Sequence, residues 1–196
     1  MIIFMKKFSK WIFDLDGTLT QNNIDFDRIR NELNIPKNIL ILEYLKQLPA
    51  TEAHELQEKL AVLEHEMISE TKIAPGAAEL LSLLQSKNFL LAILTRNTKE
   101  NAIRTLEQIA LSAYFSWDTI IGRREATPKP SSDGINLILS KWRENKDDCV
   151  IVGDFYLDIE SGQNAGINTI YVNEIDNCSL ANFSFKCLGD IIEQLS

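Results

Sequence analysis

Asp14 and Asp16 stand one residue apart in KWIFDLDGTLT, residues 10–20, at the end of an apolar run and directly before Gly17-Thr18. Two readings fit that stretch alone. Asp16-Gly17 between short alternating runs signals a two-residue hairpin turn. The same residues also describe two carboxylates held at the open end of a buried strand, where open α/β sheets bind ligands. Other apolar runs end in polar residues too: Thr95, Arg96 and Asn97 follow FLLAIL, and Asp154 follows CVIVG, with Asp158 four residues on. Lys129 lies between two prolines in ATPKPSSDG.

Brought together, these residues define a chemistry. Four carboxylates in a small volume repel, and some must protonate unless a cation sits among them. Oxygen donors with positions left to water suit Mg²⁺, a hard ion that dehydrates reluctantly. Such an ion, Lys129 and the Thr95 hydroxyl together meet the needs of a phosphoryl dianion, whose charge must be neutralised before a carboxylate can approach phosphorus. Asp14 is then placed as nucleophile, forming an aspartyl-phosphate. Asp16 is placed to protonate the leaving alcohol and then to draw a proton from the hydrolytic water. Leu15 between them points into the core. Gly17 lets backbone approach the phosphate, so that neighbouring N–H groups, Thr18 included, bond its oxygens.

The elements that must position these residues alternate. SKWIFD, FLLAILT, SWDTII, CVIVGD and NTIYV read as strands. GAAELLSLLQSK, TKENAIRTLEQIA, SSDGINLILSKWRE and YLDIESGQNAG read as helices between them. Short continuous apolar strands separated by amphipathic helices imply a doubly wound parallel sheet, a Rossmann-like α/β core, with all carboxyl ends along one rim. That alternation displaces the hairpin reading. Residues 20–74 contain no glycine and read as helices alone, a small all-α insert after the first strand. The division expected is a core of 1–19 and 75–196 with a cap of 20–74. In the cap, Pro36 is predicted to open a helix through Leu48, and Thr51 to cap a second, long one. Leu56, Leu60, Leu63 and Met67 form one apolar stripe on it, packed against the first. The stripe is too short to favour a coiled-coil dimer, so a monomer or weak dimer is expected.

The 196 residues carry a net charge of −8, with no basic run longer than a pair, which excludes the footprint of a nucleic-acid binder. An anionic small substrate stays open, because a metal or a few cations reverse the field inside one pocket. No apolar run is long enough to span a bilayer, so no membrane association is expected. The N-terminal segment makes a poor signal peptide, and Met5 is an alternative start to Met1. Cys149, Cys178 and Cys187 lack metal spacing and read as reduced thiols in a cytoplasmic protein.

DLDGT, LTRN, the KP of TPKPSSDG, and GDFYLD, in this order, resemble the four motifs of the haloacid dehalogenase superfamily. The resemblance spans essentially the whole chain and looks most like the phosphoglycolate-phosphatase-like branch with a reduced cap. It implies Asp14 as nucleophile and metal ligand, and Asp16 as acid/base and ligand through its backbone carbonyl. It implies Thr95 and Lys129 on the phosphoryl group, Asp154 on Mg²⁺, and Asp158 on the metal or one step behind it. The carboxylate at Asp16 favours phosphate transfer over carbon–halogen cleavage. Two departures, Gln21 and Phe155, stand where many relatives carry an acidic and a small residue. The implied activity is Mg²⁺-dependent hydrolysis of a small phosphorylated metabolite, phosphoglycolate-like or a sugar phosphate. A phosphomutase, a phosphoacceptor signalling domain and a silent partner-binding relative are the alternatives.

Other polar residues carry plainer expectations. His54 and His65, among glutamates on the long helix, are expected at the surface, and Glu64, Glu66 and Glu70 are expected to be solvated. Asn22, Asn23, Asp25 and Arg28 enter the cap and either touch substrate or line a solvated hinge. Arg96 either holds an acidic end of the substrate or pairs with a nearby carboxylate.

Overall fold

The computed structural model describes residues 7–21, 24–144 and 146–195. The expectations for Met1, Met5, Asn22 and Asn23 lie outside them. Six strands form one all-parallel sheet: β1 (Lys10–Phe13), β2 (Leu90–Leu94), β3 (Ile120–Ile121), β4 (Cys149–Gly153), β5 (Asn168–Val172) and β6 (Phe183–Phe185). Their order is β3-β2-β1-β4-β5-β6. The order reverses between β1 and β4, and such a switch point opens a crevice at the strands' carboxyl ends. Asp14 directly follows β1 and Asp154 directly follows β4, so the crevice receives one carboxylate from each side. The Asp14 N–H still donates to the Val152 carbonyl, at 2.9 Å, which fixes the register there.

Residues alternate faces along β1, as a strand's period of two requires. Trp11 and Phe13 pack with Leu80, Leu81 and Leu84 of α4 (Ala77–Ser86), Ala102 and Leu106 of α5 (Lys99–Gln108) and Ile191 of α8 (Leu188–Leu195). Ile12 faces the other way, into a cluster with Ile135 and Ile138 of α6 (Asp133–Trp142) and Ala165 of α7 (Tyr156–Ala165). Both faces are thus covered, which is why the strands are apolar throughout. Among the described residues no helix is long and apolar enough to cross a membrane.

Between β1 and α4 lie α1 (Phe26–Leu33), α2 (Ile41–Leu45) and α3 (Ala50–Met67). They share an apolar cluster of their own, with Ile29, Leu33, Leu42, Leu45 and Leu60 buried and Leu56, Leu63 and Met67 packed against it. The stripe predicted for the long helix is present. Its surroundings differ from expectation in three ways. Residues 36–40 are non-helical, with a turn at 37–38, and the helix predicted from Pro36 runs only over Ile41–Leu45. Arg30 Nη1 donates to the carbonyls of Pro36, at 3.0 Å, and Ile39, at 2.7 Å, satisfying backbone that a helix would have used internally. Helix α3 starts at Ala50 with Pro49 at its cap position, so Thr51 lies inside its first turn. The long helix therefore packs on α1 as well as α2.

On the sheet side, SWDTII is a strand only at Ile120–Ile121, because Trp117–Thr119 form a 3-10 turn. The strand β6 and helix α8 were not among the elements read from the sequence.

Candidate active site

The rim is built by strand ends and two loops. Lys129, in the β3–α6 loop, places Nζ 2.6 Å from Asp14 Oδ1 and 2.5 Å from Asp158 Oδ1. Burial opposes its charge, but the two carboxylates outweigh burial and hold its pKa above the ordinary lysine value. Asp158 reaches the site from the first turn of α7, where Oδ2 accepts the Phe155 N–H at 3.1 Å. Asp154 Oδ1 accepts the Thr18 hydroxyl at 2.9 Å. Thr18 therefore orients Asp154, and neither it nor Gly17 lines the cavity, although both were expected on the phosphate. Gly17 has φ +92°, and a Cβ there would meet Asp154 Oδ2 at 2.3 Å. Only glycine allows that approach.

Asp16 faces the other wall. Its Oδ2 accepts from Thr95 Oγ1 at 3.4 Å, and Thr95 Oγ1 in turn accepts the Asn97 N–H at 3.0 Å. Burial and the neighbouring Asp14 charge raise the Asp16 carboxyl to about 6, against hydrogen bonds from Asn97 and Thr95 and the Lys129 charge. Asp154 is raised to about 7, by burial first and then by Asp14 and Asp158. Asp158 is raised to about 6, again chiefly by burial.

Carboxylate oxygens of Asp14, Asp154 and Asp158 lie within 4.8 Å of one another. Three hard oxygen donors, two of them on the carboxyls of Asp154 and Asp158 that burial raises, fit a divalent cation such as Mg²⁺. The Asp16 carboxylate is outside this set and keeps to the Thr95 side, while its expected ligand atom was the backbone carbonyl.

Two arginines join the rim to the helical segment. Arg96 Nη2 lies 2.6 Å from Glu43 Oε2 of α2, and its Nη1 donates to the Lys129 carbonyl. Of its two expected roles, pairing with a carboxylate is the one formed. Arg123 Nη1 bonds both Glu64 oxygens of α3 and the Arg96 carbonyl, at 3.1 Å. Glu64 is therefore not solvated, contrary to expectation. Burial raises its carboxyl to about 7 even with Arg123 beside it. A helical signal for this existed: Glu64 follows Leu60 by four residues and flanks the apolar stripe. Nothing in the sequence identified Arg123 as its partner. Glu66 is half exposed, against Arg28, and Glu70 is exposed, as expected. His54 and His65 are exposed, with His65 Nδ1 3.3 Å from Asn101 Oδ1. Asp25 caps α1 by accepting the Arg28 N–H at 2.8 Å, and both residues are exposed and away from the cavity.

The cavity of about 360 Å³ is floored by Asp14, Asp16, Thr95, Arg96, Asn97, Lys129, Asp154 and Asp158 and roofed by residues of α1–α3. Five sequence segments thus converge on one crevice.

A family model described as haloacid dehalogenase-like hydrolase matches residues 23–172. The phosphoglycolate phosphatase of Aquifex aeolicus is 31% identical over 177 residues, covering 81% of each chain. The pyrophosphatase PpaX of Listeria welshimeri is 26% identical over 179 residues, covering 81% of this chain and 80% of that one. A hydrolase from Pseudomonas syringae has a similar solved structure, with TM-score 0.78, 23% identity, and coverage of 95% of this chain and 97% of that one. With the parallel sheet, the rim carboxylates and the matched length agreeing, the chain belongs to the haloacid dehalogenase-like hydrolase family.

Proposed function

We propose that the protein hydrolyses a small phosphomonoester through an aspartyl-phosphate on Asp14. The observation that carries this reading is the difference between the two aspartates of the opening motif. Asp14 is ion-paired with Lys129, whereas Asp16 is raised to about 6 and holds a proton far more readily than an ordinary carboxyl. Paired carboxyls with divergent environments mark a nucleophile and a general acid. A departing alkoxide needs a proton and a departing halide does not, so a proton donor at Asp16 supports ester cleavage.

An Asp14 oxygen attacks phosphorus as the ester P–O bond breaks, and the Asp16 proton goes to the leaving alcohol oxygen. Asp16, now ionised, takes a proton from water, which attacks the acyl phosphate, frees inorganic phosphate and restores Asp14. Lys129 and the Thr95 hydroxyl hold the anionic oxygens through both steps. Asp14, Asp154 and Asp158 would hold Mg²⁺, which neutralises phosphoryl charge when bound. Residues 20–74 act as a cap that excludes water, over a core of 1–19 and 75–196. Three free cysteines, Cys149, Cys178 and Cys187, support a cytoplasmic setting.

Phosphate release from an aryl phosphate tests the reading, with Mg²⁺ or a chelator, for the native chain and Asp14→Asn. Turnover that needs the ion and is lost in the variant is expected. A stably phosphorylated chain without turnover would instead support a phosphoacceptor role and overturn the proposal.

A further inference from the structure

We propose that the cavity carries an aromatic-lipped apolar subsite, formed by Phe26 and Phe155, for an uncharged hydrocarbon body on the phosphomonoester. This rests on the function proposed above. Phe26 opens α1 and Phe155 caps α7, so two separate segments, one helical and one at the sheet's rim, bring them to one cavity. Each is a large apolar side chain left well exposed, 48% for Phe26 and 40% for Phe155. Single exposed hydrophobics need no explanation, but two that line the same cleft beside reactive groups mark a binding surface. Phe155 is braced by Tyr156, whose ring centroid is 4.4 Å away.

The roof behind Phe26 extends the same chemistry. Ile24, Leu40 and Leu60 line it, and its two charged members are already engaged. Arg30 is turned onto the carbonyls of Pro36 and Ile39, and Glu64 is held by Arg123. On the floor, Arg96 is held by Glu43. Away from the groups assigned to the phosphoryl end, a second anionic group on the substrate, such as the carboxylate of phosphoglycolate or the second phosphate of pyrophosphate, would meet hydrocarbon or Asn97, itself bonded to Asp16, among the described residues, or have to break one of these pairs. A desolvated charge without a partner is strongly disfavoured. The volume is at the small end of ligand pockets, which run from roughly 300 to 1,000 Å³. One ring or a short alkyl chain beside the phosphate fills it.

Calorimetric titration with methyl-, propyl- and pentylphosphonate in the presence of Mg²⁺ tests the subsite, because phosphonates bind without being hydrolysed. Affinity is expected to rise about fourfold per methylene until the cavity is filled. The dependence on chain length is expected to flatten in Phe26→Ser and in Phe155→Ser, whose unfolding midpoints report whether they remain folded. The Phe155 N–H to Asp158 survives in the latter. Affinity independent of chain length in the native chain, or tighter binding of 3-phosphonopropionate, which adds a carboxylate, than of pentylphosphonate, overturns the subsite whatever the variants do. A retained chain-length dependence with no turnover of any phosphomonoester would overturn the hydrolase reading and leave the subsite standing. Turnover without the dependence does the reverse.

Discussion

Both carboxylate oxygens of Glu64 lie 2.8 Å from Arg123 Nη1, joining the long helix α3 to the loop after β3. The side chains are 12% and 6% exposed, so the pair is nearly dry. Removing one partner of a buried pair leaves the other uncompensated, at a cost of about 3–5 kcal/mol. Arg123→Met is therefore expected to lower the unfolding free energy in urea by about 3 kcal/mol at pH 8. The double variant Glu64→Leu/Arg123→Met should lose less than the single one. Equal or greater loss in the double variant would show that the pair stabilises more than its burial costs.

The raised carboxyls give stability a pH dependence with a definite sign. Asp16 and Asp158 at about 6, and Glu64 and Asp154 at about 7, all bind protons more readily folded than unfolded. The folded chain then holds the extra protons between roughly pH 4 and 7, and stability is lost as pH rises through those values. In chelator, the urea midpoint is expected to fall from pH 5 to pH 8, by on the order of a few kcal/mol in free energy. A midpoint that climbs over this range would contradict the assignment.

Metal binding should run the opposite way. Ligating carboxylates must be ionised, so Mg²⁺ affinity is expected to increase from pH 6 to pH 8 as Asp154 and Asp158 lose their protons. Added Mg²⁺ should restore much of the stability lost at pH 8. Titration calorimetry at three pH values checks the first point, and melting with and without the ion checks the second.

Gly17→Ala combines a left-handed backbone with a clash into Asp154. A loss of about 1–2 kcal/mol in stability is expected, together with weakened Mg²⁺ binding. Unfolding and calorimetry on the same sample separate this from a simple turn defect, which would leave the metal affinity unchanged.

Cys149 is buried in β4, and burial pushes its thiol up to about 12, whereas Cys187 is exposed. A thiol reagent on the native chain should label Cys187 rapidly and Cys149 only on unfolding. Mass spectrometry of the labelled peptides reads the order directly.

Much of this molecule was legible in its sequence because the relevant signals are local. Continuous apolar runs gave β1, β2, β4 and β5, and the polar residue ending each of three of them gave Asp14, Thr95 and Asp154. Boundaries in the helical segment were less legible. Pro36 is compatible with a helix start, but the Arg30 side chain captures the turn carbonyls instead, a tertiary contact with no sequence signature. The helix α8 did carry a signal, since Leu188, Ile191, Ile192 and Leu195 repeat at helical spacing. Glu43–Arg96 and Glu64–Arg123 link residues 53 and 59 positions apart, and only the fold could pair them.

The joins between helical segment and sheet share one polarity: Glu43, Glu58 and Glu64 on the helices meet Arg96, Arg124 and Arg123 on the sheet side. With the acidic partners all on one side and the basic partners all on the other, salt screens the three joins unequally, the exposed Glu58–Arg124 most and the nearly dry Glu64–Arg123 least.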